Sequence, residues 1–335
     1  MLEKGVLLIN LGTPNSCGWI SVVHYLKTFL SDPRVIDLPA VLRFFLVNCL
    51  IIPTRFRKTQ KAYQKIWEKG GSPLLVNSLA FKEKLAFKLG EGYRVELAMR
   101  YGKPSMQEAL KNLAGCEQIV VIPLFPQYSS AATGSAIEHF NHEISKYWNI
   151  PEIHIQKDFY NHPGYIESYA IQIQNSLIGK KIDKLIFSYH GLPERHIDKS
   201  HCESLCDKIK ACPEVDEKNS FCYRAQCFES SRLLAGVLQL KDRDYTVSFQ
   251  SRLGGTPWIK PYTDHLLPKL IREGVKNIAI VCPSFVADCL ETLEEVNIRA
   301  RREWRMLGGG EFHFIPCLNT HPTWVACVSD MAMTY

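Results

Sequence analysis

Short apolar segments recur along this chain, and a turn and then a helical pattern follow most of them. The first half contains four such segments, at residues 5–11, 94–101, 118–125 and 153–155. The second half contains four more, at residues 185–187, 245–250, 277–282 and 312–315. Segments that are apolar on both faces and alternate with helices are typical of parallel strands. We therefore predict an α/β fold of two similar Rossmann-like, doubly wound domains, each with a parallel sheet flanked by helices.

The repeat of this pattern also sets the expected domain boundaries. A chain of 335 residues has room for two domains. We place an N-terminal α/β domain at residues 1–160 and a C-terminal α/β domain at residues 161–310. The last helix, within residues 311–335, is expected to return to the N-terminal domain.

A histidine follows one of the buried strands. Residues 182–196 read IDKLIFSYHGLPERH, so His190 comes just after the apolar run, and Gly191 and Pro193 then break the chain. Ligands of open α/β sheets bind at the carboxyl ends of strands. Histidine also takes up and releases protons near neutral pH. His190 is therefore a candidate for proton transfer, and a structural histidine at a strand end is the alternative.

Carboxylates follow another strand, in the sequence DCLETLEE. If a helix begins near Asp288, then Asp288, Glu291 and Glu295 lie on one face at i, i+3 and i+7. A solvated acidic face is the simple interpretation. The position directly after a strand favours a row of carboxylates that guides a divalent cation or relays protons.

The segment at residues 39–53, PAVLRFFLVNCLIIP, is unusually apolar. A buried helix is the default interpretation. An exposed lip that contacts a membrane is the alternative, because basic side chains follow it at Arg55, Arg57, Lys58 and Lys61. The net charge of +6 is mild, and no block of Lys and Arg indicates nucleic acid.

No run of 18 apolar residues is present, and the apolar run at the start is too short for a secretory signal. We therefore expect a cytoplasmic protein, with the apolar segment 39–53 as the only expected membrane contact. The sequence leaves the oligomeric state open.

Five cysteines fall within an insert at residues 201–227. In a cytosolic protein this density indicates metal ligation rather than disulfides. The spacing lacks the paired Cys-x2-Cys motifs of a zinc ribbon, whereas a [2Fe–2S] cluster takes four thiolates with looser spacing. We expect Cys202, Cys212, Cys222 and Cys227 as ligands, with Cys206 as the alternate. Zinc or unliganded thiols are the other outcomes.

Several motifs along the chain resemble those of the ferrochelatase family. These are INLGTP, GGSPL, MRYGKP, FPQYSSAATGS, SYHGLPERH, FQSRLGGTPWIKPYT and FVADCLETLEE, in the family's order from residue 5 to about residue 322. The resemblance implies an enzyme, a metal-chelatase lyase that inserts Fe²⁺ into protoporphyrin IX and releases two protons, the final step of haem biosynthesis. Its partners are then the porphyrin and ferrous iron, and some bacterial members carry a Cys-rich segment that holds a [2Fe–2S] cluster.

The resemblance also assigns residues. It implies His190 and Glu291 as the catalytic pair, and it implies His190, Glu291, Glu295 and Asp288 as the groups that meet the substrate iron. The porphyrin-binding positions that it implies are Leu11, Arg100, Tyr101, Tyr128, Ser135, Trp258 and Phe285. Trp258 has a structural alternative, a buried side chain in the loop at residues 250–261.

One position departs from the family pattern. Several members carry histidine two residues before the glutamate, where this chain has Cys289. That departure argues against a metal route that relies on histidine there. A non-catalytic tetrapyrrole- or metal-binding protein on the same fold is the second hypothesis, and the presence of both His190 and Glu291 in their motifs favours the enzyme.

Overall fold

Two four-stranded parallel sheets form the framework of the chain, in a computed structural model that describes residues 3–200, 202, 210–252 and 254–335. The first sheet contains β1 (Lys4–Gly12), β2 (Tyr93–Tyr101), β3 (Gln118–Pro123) and β4 (Glu152–Ile155). The second contains β5 (Lys184–His190), β6 (Tyr245–Gln250), β7 (Ile278–Val281) and β8 (Phe312–Phe314). Each of the eight predicted strands is present.

The two sheets share one strand order. The first runs β2-β1-β3-β4 and the second runs β6-β5-β7-β8, and every pairing is parallel. The central strands are buried on both faces because helices follow each strand, which explains their continuous apolar sequences. The predicted α/β fold class is confirmed.

Helices connect the strands. They are α1 (Trp19–Leu30), α2 (Ala40–Phe45), α3 (Ile52–Ile66), α4 (Pro73–Leu89), α5 (Met106–Asn112), α6 (Ser135–Ile144), α7 (Pro163–Leu177), α8 (Glu194–Asp198), α9 (Tyr223–Val237), α10 (Thr263–Arg272), α11 (Arg301–Met306) and α12 (Pro322–Met333). Within the described ranges, three further segments are π-helical, at Leu46–Ile51, Ser130–Gly134 and Glu291–Ala300. One π-helical segment follows the third strand of each sheet.

The contacts divide the chain into two units, each with its own core. Unit 1 contains residues 1–125, 129–158 and 325–335, and unit 2 contains residues 126–128 and 159–324. In unit 1, Leu7 and Val121 pack against Leu110 of α5 and Phe140 of α6. In unit 2, strand residues such as Ile280 pack against α10 and the fully buried Trp304.

The apolar segment at residues 39–53 is not a buried helix. It forms α2, a π-helical turn and the start of α3 within unit 1, and most of its large side chains face solvent. The exposed ones are Val41, Leu42, Phe44, Phe45 and Leu50, whereas Val47 and Ile52 are buried. The default interpretation of a buried helix was therefore wrong, and the segment is an exposed apolar surface of unit 1. No helix in the described residues is long and apolar enough to cross a membrane.

Candidate active site

The backbone of His190 is held on both sides at the end of β5. Its amide donates to Ser284 Oγ at 3.1 Å, and its carbonyl accepts from the hydroxyl of Tyr223 at 2.8 Å. Ser284 follows β7, the neighbouring strand, and Tyr223 begins α9. The histidine therefore lies at the carboxyl end of a central strand, as the sequence predicted, and its main chain is fixed there.

The ring of His190 has a defined tautomer. Its Nδ1 lies 2.6 Å from the carbonyl oxygen of Gly191. A carbonyl oxygen can only accept, so Nδ1 carries a proton and Nε2 of the neutral ring carries the lone pair. No hydrogen bond to Nε2 is found in the described part of the chain, and the side chain is half-buried. Nε2 is thus available to accept a proton from a ligand.

Gly191 leaves room for the neighbouring loop. A Cβ there would lie 2.8 Å from the carbonyl oxygen of Gln250 and 3.2 Å from Cε3 of Trp258. The backbone after β5 also pairs with the backbone around Trp258, since the Ile259 N–H donates to the carbonyl oxygen of Leu192 at 2.9 Å. Two loops that follow adjacent strands are therefore joined beside His190.

The end of β6 fixes the segment that carries the carboxylates. Gln250 is buried, and its Nε2 donates to the carbonyl oxygen of Glu291 at 3.1 Å. Ser251 binds the carboxylate of Glu295 twice, through its amide at 3.0 Å and its hydroxyl at 2.6 Å. Ser251 has a φ of 67°, a left-handed conformation that is unfavourable for serine. The sequence analysis missed Gln250, Ser251, Ser284 and Tyr223, although Gln250 could have been noticed as an amide that ends an apolar strand.

Glu291 and Glu295 lie on a π-helix rather than on the predicted α-helix. The π-helical segment Glu291–Ala300 has i→i+5 hydrogen bonding and therefore more than four residues per turn. Residues four apart lie on one side of such a helix, as they do in an α-helix, so Glu291 and Glu295 share a side. Glu295 lies 3.6 Å from Arg299, whereas Glu291 has no ion pair among the described residues.

Asp288 precedes the helix, so the predicted i, i+3, i+7 stripe from Asp288 was wrong. Its carboxylate is buried and accepts hydrogen bonds from Thr292 Oγ1 at 3.0 Å and Asn319 Nδ2 at 2.8 Å, with the Cys317 amide at 3.3 Å. These bonds tie the start of the π-helix to the segment after β8. Asp288 stays a predicted iron contact, and its observed contacts are with the protein itself.

Cys289, where several family members have histidine, is buried beside Glu291. Burial raises the pKa of the Cys289 thiol well above its usual value, and the neighbouring carboxylate of Glu291 raises it further. Both effects disfavour the thiolate, which is the form of cysteine that binds metals.

Two apolar side chains of unit 2 flank this region. The ring of Phe285 meets the ring of His190 edge to face, with centroids 6.2 Å apart. Trp258 is only 9 % exposed, which agrees with the structural alternative for this residue. Phe285 is half-buried and is therefore the more exposed residue of the two.

In unit 1, three of the predicted porphyrin residues meet around Asp32. Its Oδ2 accepts from Arg100 Nη2 at 2.7 Å, from the Tyr101 hydroxyl at 2.7 Å and from Ser135 Oγ at 2.6 Å. Arg100 also donates from Nε to Ser135 Oγ at 2.7 Å. Burial alone would raise the pKa of Asp32, but bonds from Ser135, Tyr101 and the Arg34 amide, with the charge of Arg100, hold it below its usual value.

The remaining two predicted porphyrin residues belong to different units. Leu11 is half-buried near the end of β1 in unit 1. Tyr128 belongs to unit 2, where its amide donates to Gln226 Oε1 at 2.6 Å and its ring meets Phe221 edge to face. Tyr128 therefore contacts the segment that contains the clustered cysteines.

Four of the five clustered cysteines are described, and all four are buried: Cys202, Cys212, Cys222 and Cys227. Cys206 lies outside the described residues. Burial raises the pKa of Cys222 to about 12, and the proximity of Cys202 and Cys212 contributes to that rise. In the described ranges no three His, Cys, Asp or Glu side chains are grouped so that they could hold a metal ion.

Comparison with known proteins identifies the family. The family model described as Ferrochelatase matches residues 3–335. The chain belongs to the ferrochelatase family. A ferrochelatase of Legionella pneumophila is 51% identical over 330 residues, which cover 98% of both chains. A ferrochelatase of Coxiella burnetii is 48% identical over 331 residues, covering 98% of this chain and 92% of that one.

Solved chelatase structures share the fold of this ferrochelatase family member. SirB from Bacillus subtilis, solved with Fe³⁺, matches with a TM-score of 0.55 at 12% identity, over 98% of this chain and 94% of that one. CbiX, a terminal enzyme of sirohaem biosynthesis in denitrifying bacteria, matches with a TM-score of 0.50 at 12% identity, over 98% of both chains. At this identity the likeness supports the fold alone.

Proposed function

We propose that His190 accepts the pyrrole protons in the reaction of this ferrochelatase. The enzyme inserts Fe²⁺ into protoporphyrin to form haem, and two N–H protons leave the ring as the metal enters. The observation that carries the assignment is the bond from His190 Nδ1 to the carbonyl oxygen of Gly191. This bond keeps the proton of the neutral ring on Nδ1 and leaves the lone pair on Nε2. A base that is already fixed in this way avoids reorganisation when the proton moves.

Glu291 is the second catalytic group of the proposal. Its lack of an ion pair among the described residues leaves a carboxylate that can take the proton onward or meet the incoming Fe²⁺. Glu295 continues the path along the same side of the π-helix, and Ser251 holds its orientation. We give Asp288 a smaller role in guiding the iron, because its oxygens already accept hydrogen bonds from Thr292 and Asn319.

The proposed porphyrin contacts differ between the units. In unit 2 we assign Phe285 and Trp258 as apolar walls, with Tyr128 as a further contact. In unit 1 we assign Leu11 as a wall and Arg100, Tyr101 and Ser135 as the polar group. The guanidinium of Arg100 has five N–H donors, and two of its nitrogens bind Asp32 and Ser135, which leaves donors for a propionate.

A metallation assay tests this proposal directly. Protoporphyrin and Fe²⁺ or Zn²⁺ are added anaerobically, and the change from the free-base to the metalloporphyrin absorbance spectrum is followed. We expect turnover faster than the protein-free control, and its loss in His190→Ala. If the protein binds porphyrin and never metallates it, the binding-protein hypothesis replaces the enzyme. Wild-type turnover by His190→Ala would remove His190 from the mechanism.

We further propose a [2Fe–2S] cluster held by Cys202, Cys212, Cys222 and Cys227, with Cys206 as the alternate. Four buried thiols suit such a cluster by type and number, although no metal-binding group is found among the described residues. A bound cluster would supply a cross-link and a local negative charge. Visible absorbance that dithionite bleaches, with iron and sulfide by analysis, supports the cluster; bound zinc or no metal contradicts it.

The exposed apolar segment at residues 39–53 supports a peripheral membrane contact of a cytoplasmic protein. Exposed Phe44 and Phe45 lie close in sequence to the basic residues of α3, a combination that favours an anionic lipid surface. We expect co-sedimentation with vesicles that contain anionic lipid, reduced in Phe44→Ser/Phe45→Ser. Phe87→Ser is the matched control, since Phe87 is 91% exposed on α4. Equal sedimentation of all three proteins would contradict the contact.

A further inference from the structure

Gln250, the last residue of β6, binds the loop that follows β5 through its main chain. Its carbonyl oxygen accepts the N–H of Gly191 at 2.8 Å. The carbonyl oxygen of Gly191 is in turn the acceptor for Nδ1 of His190. A Cβ at residue 191 would lie 2.8 Å from the Gln250 oxygen, so glycine permits this close approach. The main chain of Gln250 therefore holds the residue that fixes the imidazole.

The side chain of Gln250 binds the start of the π-helix. Its Nε2 donates to the carbonyl oxygen of Glu291 at 3.1 Å, and its Oε1 accepts from Ser188 Oγ at 2.7 Å. Oε1 also lies 3.6 Å from Sγ of Cys282. Because a carbonyl oxygen can only accept, the end of the amide that faces Glu291 is the nitrogen. The two ends of this side chain thus need different chemistry, a donor on one side and an acceptor on the other.

Burial gives this amide a single orientation. Gln250 is 4% exposed, and Ser188 is completely buried. A flipped amide would place Oε1 against the carbonyl oxygen of Glu291, and no water is at hand to compensate a buried group that loses its partner. The side chain of Gln250 is therefore fixed at both ends by groups that are themselves part of the sheet or of the π-helix.

Ser251, the next residue, extends the contact to the second glutamate. It binds the carboxylate of Glu295 through its amide and its hydroxyl, as described above. Its φ of 67° is unfavourable for serine, and such strain persists only where the surrounding contacts hold it. Residues 250 and 251 thus fix the main chain of Glu291 and the side chain of Glu295.

We propose that Gln250 is a positioning residue that fixes Glu291 relative to His190. Both proposed catalytic groups are held from this one residue, the histidine loop by its main chain and the π-helix by its amide. Groups that act together on one ligand must keep a constant separation, since a displacement of about 1 Å can lower a rate about 100-fold. The proposal rests on the proposed roles of His190 and Glu291.

Gln250→Met tests this role, because methionine is similarly long and unbranched and donates no hydrogen bond. The bond to Glu291 is lost, whereas the main-chain bond to Gly191 is kept. We expect kcat for metal insertion to fall about 10-fold with KM for protoporphyrin unchanged, since the carboxylate is displaced and the porphyrin contacts are not. An unchanged kcat, or a rise in KM alone, would overturn the proposal.

Thr263→Val is the matched control. The Thr263 hydroxyl lies 3.0 Å from Ser188 Oγ and 2.9 Å from Ser248 Oγ, in the same buried polar group. In the part of the chain that the structure describes, it makes no hydrogen bond with Gln250 or Glu291. We expect the control to lose comparable thermal stability and to keep the kcat of the wild type. Equal losses of kcat in the two variants would overturn the positioning role.

Hydrogen exchange gives a second readout that does not depend on activity. In Gln250→Met we expect faster exchange of the backbone amides in a peptide that covers residues 289–298 than in the wild type or in Thr263→Val. Unchanged exchange in this peptide would overturn the role of Gln250. Wild-type turnover by Glu291→Gln would instead contradict the proposed function of Glu291, and the exchange rates would still show whether Gln250 holds the π-helix.

Discussion

The two units have the same strand order but differ in whether the charged groups after their strands are paired within the protein. In unit 1 the strand ends lead to Arg100, Tyr101 and Ser135, and all three bind the buried carboxylate of Asp32. In unit 2 the equivalent edge of the sheet carries His190 and, on the following π-helix, Glu291, whose charge no described cation neutralises. The comparison teaches that one framework supplies an edge whose buried carboxylate is bound by its own neighbours and another edge whose polar groups stay available for chemistry.

The largest expected effect comes from removing the available group of unit 2. We expect His190→Ala to lower kcat for metal insertion by at least about 100-fold, the contribution typical of a general base. Thermal unfolding should remain close to that of the wild type, because the ring makes one hydrogen bond with its own neighbour. A parallel loss of folding would show that this edge is structural as well, and the comparison between the units would fail.

Breaking the satisfied edge of unit 1 should act on stability first. Asp32→Asn removes the charge that binds Arg100, and we expect a loss of about 2–4 kcal/mol in the free energy of unfolding at pH 7. Because the pKa of Asp32 is lowered by folding, its contribution is present above the unfolded pKa and is lost as the pH falls through the folded pKa. The difference between variant and wild type should therefore shrink below about pH 4.

Urea unfolding at pH 7 and at pH 3 measures the difference in the free energy of unfolding between Asp32→Asn and the wild type. A gap that is constant from pH 7 to pH 3 would contradict the assigned direction of the pKa. Serine at position 135 offers a milder control: Ser135→Ala removes one bond to Asp32 and leaves its charge, so we expect a smaller loss with the same dependence on pH.

A smaller effect is expected in unit 2, where Ser251 binds the carboxylate of Glu295. Ser251→Ala removes the hydroxyl bond to Glu295, and we expect a cost of about 1–2 kcal/mol. Ser251→Gly removes the same bond but adopts the left-handed backbone readily, which should recover about 1 kcal/mol. Melting temperatures that rank alanine above glycine would argue that the backbone at residue 251 is not strained.

The smallest effect should come from a pair at the surface of unit 1. Arg34 lies 2.6 Å from Glu138, with 36% and 59% of the two side chains exposed. Water and salt screen such a pair, so Arg34→Ala should change the free energy of unfolding by less than about 1 kcal/mol. Melting curves of Arg34→Ala and Asp32→Asn compare the loss of an exposed charge with the loss of a buried one. Equal losses of stability in the two variants would contradict the expected difference.

The sequence predicted the framework well because strands and turns leave local signals. All eight strands and the position of His190 at a strand end followed from apolar runs and the glycine and proline after them. The partner of Arg100 could not be predicted in this way, since Asp32 lies 68 residues away and contacts it only through the folded chain. The bond between Tyr223 and His190 was missed for the same reason.

The errors have local causes. An acidic stripe gives the same sequence pattern in an α-helix and in a π-helix, so the wider helix and the separate role of Asp288 were not predicted. The segment at residues 39–53 was first interpreted as buried because apolar composition alone does not distinguish a core from an exposed surface. The roles of the site residues stay predictions, and the experiments above address them.

The π-helix from Glu291 to Ala300 makes this part of the gene unusually sensitive to changes in length. Loss of one residue between Glu291 and Glu295 would set the two glutamates three positions apart instead of four, which widens the angle between them around the helix axis. Such a deletion would leave the composition and both glutamates almost unchanged. It would rotate one carboxylate away from the other, so length, as much as residue identity, specifies this edge of the enzyme.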